Sequence, residues 1–297
     1  MIINKALTAF FEQDTACIIM MIIGLLLIAT HNIWIKNIYN RFMKRRYENM
    51  EGFRDSRYNE LRMNIIINQL QKNFGPKVAV DIENYSIQSG DMLGLVGNNG
   101  AGKTTLFRLM LDLLKADGGS VHIENIDVSR SEEWKNITGA FIDEGFLIDY
   151  LTPEEYFYFV GKMYGLTKEE VDKRVARFER FMNGEVIGQK KLIRNYSAGN
   201  KQKIGIISAM LHQPQVLILD EPFNFLDPSS QSIIKHLLKA YNEETGATIL
   251  VSSHNLNHTV DICPRIALLE NGKIIRDIDN KGNSAEKELE DYFNVTE

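Results

Sequence analysis

Cysteine is nearly absent from this 297-residue chain: Cys17 and Cys263 are the only two, far apart and without metal-ligand spacing. That argues against a disulfide framework or a cysteine-held metal and points to a reducing compartment. A strong excess of charge of either sign is also missing. The net charge is −5 and is spread along the chain. There is no basic domain or stripe of the kind that nucleic acid binding leaves. Internal repeats and low-complexity tracts are lacking too. What is present is ordinary for a globular protein, 44% hydrophobic and 25% charged residues, enough to bury a core. The length suits one large domain, or one domain with an appendage.

One local feature departs from those averages. From Thr15 to Ile35 there are 21 residues without a formal charge, most of them apolar. Spanning a bilayer takes about 20 such residues. Lys36, Arg41, Lys44, Arg45 and Arg46 follow the run, whereas only Lys5, Glu12 and Asp14 precede it. A cleaved signal peptide would place its positive charge before the run. The positive-inside bias puts the C-terminal side in the cytoplasm, with Trp34 and Tyr39 near the interface. The alternative is a buried core helix, because Thr30, His31 and Asn32 interrupt the run. Residues 36–62 carry eight basic and four acidic side chains. They read either as a juxtamembrane segment against anionic lipid or as a solvated linker. A new pattern begins near Met63, so residues 1–62 are expected to be an N-terminal extension: a membrane anchor, a remnant of a membrane subunit, or sequence upstream of a start near Met63.

From Met63 onward the pattern is α/β. MNIIINQL and KVAVDIENYSI have the alternation and β-branched density of strands. MLGLV, SVHIENIDV, ITGAFI, QVLILD, ATILVSS and RIALLE read as further strands, with KIIRDI paired beside the last. TLFRLMLDLL, PEEYFYFVGKMYG, KEEVDKRVARFERFM and SSQSIIKHLLKAYNEE read as helices, with apolar residues at helical spacing. Strands alternating with helices imply a largely parallel sheet.

Three segments carry chemistry. Gly97-Asn98-Asn99-Gly100-Ala101-Gly102-Lys103-Thr104 follows a strand and opens a helix, the context that makes such a run a phosphate loop. Its glycines let backbone N–H groups turn onto phosphate oxygens, and the helix start adds partial positive charge. Lys103 is expected to reach the β- and γ-phosphates, and the Thr104 hydroxyl to ligate Mg²⁺. About 115 residues later, the apolar run Val216–Leu219 delivers Asp220 and Glu221 to a strand end, where α/β sheets bind ligands. Asp220 is expected to hold Mg²⁺ through water and Glu221 to polarise an attacking water. Tyr196-Ser197-Ala198-Gly199-Asn200 places small residues at a helix start, which reads as a second anion site or simply as a capped helix.

In order and spacing, GNNGAGKTT, YSAGNKQK, LILDEPFNFLDP and VSSH resemble the ABC-type ATPases. The resemblance covers about residues 63–280. It implies a P-loop NTPase with a mixed β-sheet core, an antiparallel β-subdomain and a helical subdomain at about 144–200, here preceded by the N-terminal hydrophobic helix and followed by a helical tail at 281–297. It also implies ATP and Mg²⁺ as cofactors and a head-to-tail homodimer that sandwiches two ATP. Ser197, Ala198, Gly199 and Asn200 would then act in trans on the γ-phosphate held by the partner. Asp227 would cross the dimer interface, and His254 would touch the γ-phosphate and position the attacking water. Thr105 would join the phosphate loop. Phe74, 23 residues before Gly97, stands where the family stacks an aromatic on adenine.

Two departures stand out. The family's usual LSGGQ is YSAGN here. Asp143 stands where the family usually has a Mg²⁺-touching Gln that relays the nucleotide state to the membrane subunit. An acidic residue there is similar to the bacitracin- and lantibiotic-type exporter subgroup. The resemblance therefore implies the ATP-hydrolysing subunit of a bacterial-type transporter, working as an exporter at the cytoplasmic face of the membrane. Its partners would be a second copy, a membrane permease and the bilayer, with no nucleic acid. The stretch Glu155–Tyr164 is the expected dock for a permease coupling helix, or internal packing. Two other readings remain. One is a membrane-tethered ATP switch with little turnover. The other is a soluble ABC ATPase of translation or DNA repair, although the chain lacks the tandem pair or coiled-coil insertion that those resemble.

Overall fold

A computed structural model of the chain describes residues 65–280, together with Ala285 and Leu289. The expected span at 15–35, the basic segment 36–62 and most of the tail 281–297 lie outside the described residues. Among the described residues, no helix is long and apolar enough to cross a membrane.

The strands form two sheets. β1 (Ile65–Phe74) and β2 (Lys77–Ile87) make an antiparallel hairpin across Gly75 and Pro76. With β4 (Gly118–Ile123) and β5 (Ile126–Asp127) they complete a four-stranded antiparallel sheet in the order β2-β1-β4-β5. The second sheet has six strands. β3 (Met92–Val96), β6 (Thr138–Phe141), β7 (Val216–Leu219), β8 (Thr248–Ser253) and β9 (Arg265–Glu270) run parallel in it. β10 (Lys273–Asp279) closes one edge antiparallel to β9, giving the order β10-β9-β3-β8-β7-β6. The central strands β3, β7 and β8 are buried at every position. This is why they read in sequence as unbroken apolar runs: a parallel strand covered on both faces has no polar side. β10 is mostly exposed and charged, as suits an edge.

The helix α1 (Lys103–Met110) lies in an apolar layer made by both sheets, where Phe107 shares one buried cluster with Ile67, Val80 and Leu93 as well as Ile218 and Leu250. It stops earlier than its pattern predicts, because Asp112 adopts a left-handed backbone at φ +49°. Between β6 and β7 the chain is helical. α2 (Pro153–Met163) and α3 (Lys168–Ala176) each begin with a complete capping box, Thr152 with Glu155 and Thr167 with Glu170. The predicted single helix over KEEVDKRVARFERFM is two, α3 and the one-turn α4 (Glu179–Met182). Arg177 N–H bonds back to Arg174 O and Phe178 N–H to Val175 O, a tightened turn that ends α3. Val171, Val175, Phe178, Phe181 and Met182 still share one buried face, so the apolar spacing does not reveal the break.

α5 (Ala198–Met210) is buried at every position from Gln202 onward. It packs with β6, where Gly205 leaves room for the Phe141 ring: a Cβ at Gly205 would fall 2.1 Å from it. α6 (Pro228–Thr245) and the short α7 (Leu256–Val260) complete the fold. After β10, Asn280 Oδ1 accepts from Ala285 N–H, and Ala285 and Leu289 are buried in the same core as α5.

Candidate functional site

Because β3, β8 and β7 are neighbours and parallel, their C-terminal ends share one edge of the sheet. β3 runs into Gly97, β7 into Asp220 and Glu221, and β8 into His254. The topology thus gathers three segments that the sequence separates.

The loop from Gly97 to Gly102 wraps tightly against its surroundings. At Gly102 the backbone is left-handed, φ +112°, and a Cβ would fall 2.4 Å from Ala79 O. A Cβ at Gly97 would fall 2.3 Å from Leu269 O, so neither site admits a larger residue without moving backbone. Ala101 N–H bonds to Asn98 O, and Ala101 O accepts from Gly272 N–H. Lys103 is 7% exposed; its Nζ donates to Gly97 O at 2.6 Å and to Asn98 O at 3.5 Å, and lies 3.5 Å from Glu221 Oε1. Its ammonium is held inside the loop, where a phosphate chain would lie.

Thr104 Oγ1 donates to Asp220 Oδ2 at 2.5 Å, and Ser252 Oγ donates to Asp220 Oδ1. Burial raises the Asp220 carboxyl above its ordinary value, with Glu221 pushing the same way; the Ser252 and Thr104 bonds and the Lys103 charge oppose the rise. A hydroxyl beside a desolvated carboxylate is a hard-oxygen donor pair that suits Mg²⁺, which takes one or two carboxylates and completes its shell with water and phosphate. A cation there would relieve the burial cost of Asp220.

Glu221 Oε2 lies 2.8 Å from His254 Nδ1 and accepts from His254 N–H at 3.3 Å. A cleft of 560 Å³ has Lys103, Thr104, Thr105, Glu221 and His254 on its walls, and Asn99, Gly100 and Gly102 beside them. Phe74, 52% exposed at the end of β1, lies at the same cleft. Lys77 and Asn224 line it as well. Nothing in their local sequence marks those two, because their place depends on the β1–β2 hairpin and on the turn after β7.

Ser197, Ala198, Gly199 and Asn200 do not line this cleft. Ser197 caps α5, its Oγ accepting from Asn200 N–H at 3.3 Å. Gly199 touches the loop after Glu221 so closely that a Cβ would fall 2.5 Å from Phe225 O. Asp227 caps α6, accepting from Ser230 N–H at 3.0 Å and Ser230 Oγ at 2.6 Å, and those bonds hold its carboxyl below the usual range. Asp143 does not line this cleft; its Oδ2 pairs with Arg108 at 3.1 Å and its Oδ1 accepts from Gly145 N–H at 2.8 Å. The next residue, Glu144, pairs with Lys201 of α5 at 3.1 Å.

Comparison with known proteins agrees with this geometry. Residues 80–224 match a family model described as ABC transporter. Residues 1–56 match a separate model, described only as a family of unknown function. An uncharacterised ABC transporter ATP-binding protein of Bacillus subtilis is 35% identical over 76% of this chain and 73% of its own length. A bacitracin transport ATP-binding protein of Bacillus licheniformis is 34% identical over 70% of this chain and 67% of its own. Among solved structures, a dimeric ATP-binding cassette in a post-hydrolysis state with ADP and Pi superposes with a TM-score of 0.66 at 25% identity, over 73% of this chain and 99% of that one. A component of an ABC transporter complex from Clostridium perfringens superposes with a TM-score of 0.63 at 26% identity, over 79% of this chain and 95% of that one.

Proposed function

The chain belongs to the ABC transporter ATP-binding proteins, and from that footing we propose that it is the ATP-hydrolysing motor of a bacterial-type exporter, working as a head-to-tail homodimer on a membrane permease. The observation that carries this reading is the division of the site. Lys103, Thr104, Asp220, Glu221 and His254 converge on one sheet edge, while Ser197 caps a helix outside the cleft. A γ-phosphate bound at Lys103 would therefore meet a Ser197 supplied by a second copy, and similarity to a dimeric cassette supports that arrangement.

In this scheme the phosphate loop and Lys103 bind the triphosphate, and Phe74 stacks on the base. Mg²⁺, held by Thr104 and Asp220, supplies charge neutralisation on the phosphates. Glu221 polarises water, and His254 fixes the Glu221 carboxylate and contacts the γ-phosphate. Charge-assisted bonds from two protomers join the dimer while ATP is bound, and phosphate release loosens it. Opening and closing then bias the permease between two states. The exposed Tyr150, Phe159 and Met163 on the helical segment are the dock for the permease. The run at 15–35 anchors the chain in the bilayer, with the ATPase at the cytoplasmic face. The separate family match over residues 1–56 supports an origin for that segment distinct from the ATPase. The bacitracin-transport relative supports a role in transport.

One observation favours a second reading, a membrane-tethered ATP switch with little turnover: Asp143 is engaged by Arg108 and does not line the cleft of Lys103 and Glu221. Turnover of the purified full chain, with and without its permease and with Glu221→Gln as the control, separates the two. A motor hydrolyses ATP well above the Glu221→Gln background. A wild-type rate no higher than that background, even with the permease, sinks the motor reading.

A further inference from the structure

Gln202 is a buried polar side chain that neither the phosphate loop nor the metal pair employs. It lies on α5, five residues after the cap Ser197, and is 7% exposed. Its Nε2 donates to the Glu221 carbonyl at 3.1 Å. On the other side, Glu221 N–H donates to Ser252 Oγ at 2.8 Å. The residue whose carboxylate must face the reacting water is thus gripped on both its backbone polar groups. The grip has a physical reason. Glu221 sits at φ +48°, in the left-handed region that residues with a Cβ rarely adopt. Such a backbone persists only where its surroundings over-determine it. α5 touches the same loop again, at the close approach of Gly199 to Phe225 O.

We propose that Gln202 is a positioning residue for hydrolysis, which sets the aim of the Glu221 carboxylate through its peptide without touching nucleotide. The inference rests on Glu221 being the group that polarises water. Without the Gln202 donor, the Glu221 carbonyl keeps only the Asn224 N–H at 3.2 Å, within its own turn, and the left-handed backbone can relax, swinging the carboxylate away from His254 Nδ1. Ser197 caps the same helix, so the end of α5 that would meet the partner's nucleotide is tied mechanically to the carboxylate that acts on this chain's own.

The test is Gln202→Met in the full chain, which keeps much of the side-chain volume and removes the donor. A single lost hydrogen bond to a strained catalytic peptide corresponds to about a tenfold drop in kcat. The KM for ATP should hold, as should the thermal midpoint, and the ATP-bound dimer should persist longer on size-exclusion chromatography. A merely structural role would lower the thermal midpoint, nucleotide affinity and dimer formation together, and that result overturns the proposal. Gln202→Leu, which removes the donor without adding a titratable group, should show the same split and serves if the Met variant does not fold. Gln202 variants at full rate beside an inactive Glu221→Gln overturn this inference alone. A Glu221→Gln protein with wild-type turnover overturns the role of Glu221 and this inference with it.

Discussion

His254 Nδ1 lies 2.8 Å from Glu221 Oε2, and the His254 backbone N–H reaches the same oxygen at 3.3 Å. One carboxylate oxygen is therefore fixed twice by the residue that follows β8, while the other lies 3.5 Å from Lys103 Nζ. His254→Ala removes the ring contact and keeps the backbone one. Hydrolysis should fall by roughly 10²-fold, the lower end for a group that assists proton transfer. Affinity for a fluorescent ATP analogue should fall far less than the rate, since only the γ-phosphate contact is lost and Lys103 and Thr104 are untouched. A variant with full turnover would remove His254 from the site.

Lys103→Ala takes away the ammonium that the loop holds between Gly97 O and Glu221. It should abolish ATP binding in an equilibrium titration, or leave binding with no measurable hydrolysis. Retention of full activity would refute the assignment of the phosphate loop.

Glu221→Gln keeps the shape of the side chain and removes its charge. Hydrolysis should fall by about 10²–10⁴-fold, so that ATP accumulates between two protomers. Size-exclusion chromatography with ATP and Mg²⁺ should then show a stable dimer. A persistent monomer under those conditions would count against the sandwich.

Asp220 links metal binding to pH. Burial lifts its folded-state pKa above the ordinary 3.8. Between those two values the folded chain binds more protons than the unfolded one. Without metal, the stability that Asp220 contributes is therefore fully present below the ordinary value and is lost as pH rises through the folded one. Urea unfolding in EDTA across that window should show this slope in the wild type and a flatter one in Asp220→Asn. Mg²⁺ with nucleotide should offset the loss above the window, in the wild type only. Equal slopes in both proteins would show that Asp220 is not the desolvated group.

Much of the molecule was legible because it is written locally. A parallel strand buried on both faces must be an apolar run, and β3, β7 and β8 are such runs. The helix α2 is likewise announced by apolar residues at helical spacing in PEEYFYFVGKMYG. The turn at Arg177–Phe178 was not legible, because it preserves the apolar face while its hydrogen bonds span three residues instead of four.

The sequence by itself determined that a phosphate loop lies between a strand and a helix, and that a second strand ends in Asp220 and Glu221. Those features depend on residues adjacent in the chain. Only the tertiary structure decided that Thr104 meets Asp220 across 116 residues, that Asp143 faces Arg108, and that Gln202 grips the Glu221 peptide. Each of those contacts depends on which strand ends lie side by side in the sheet, and no spacing within a single segment encodes that order.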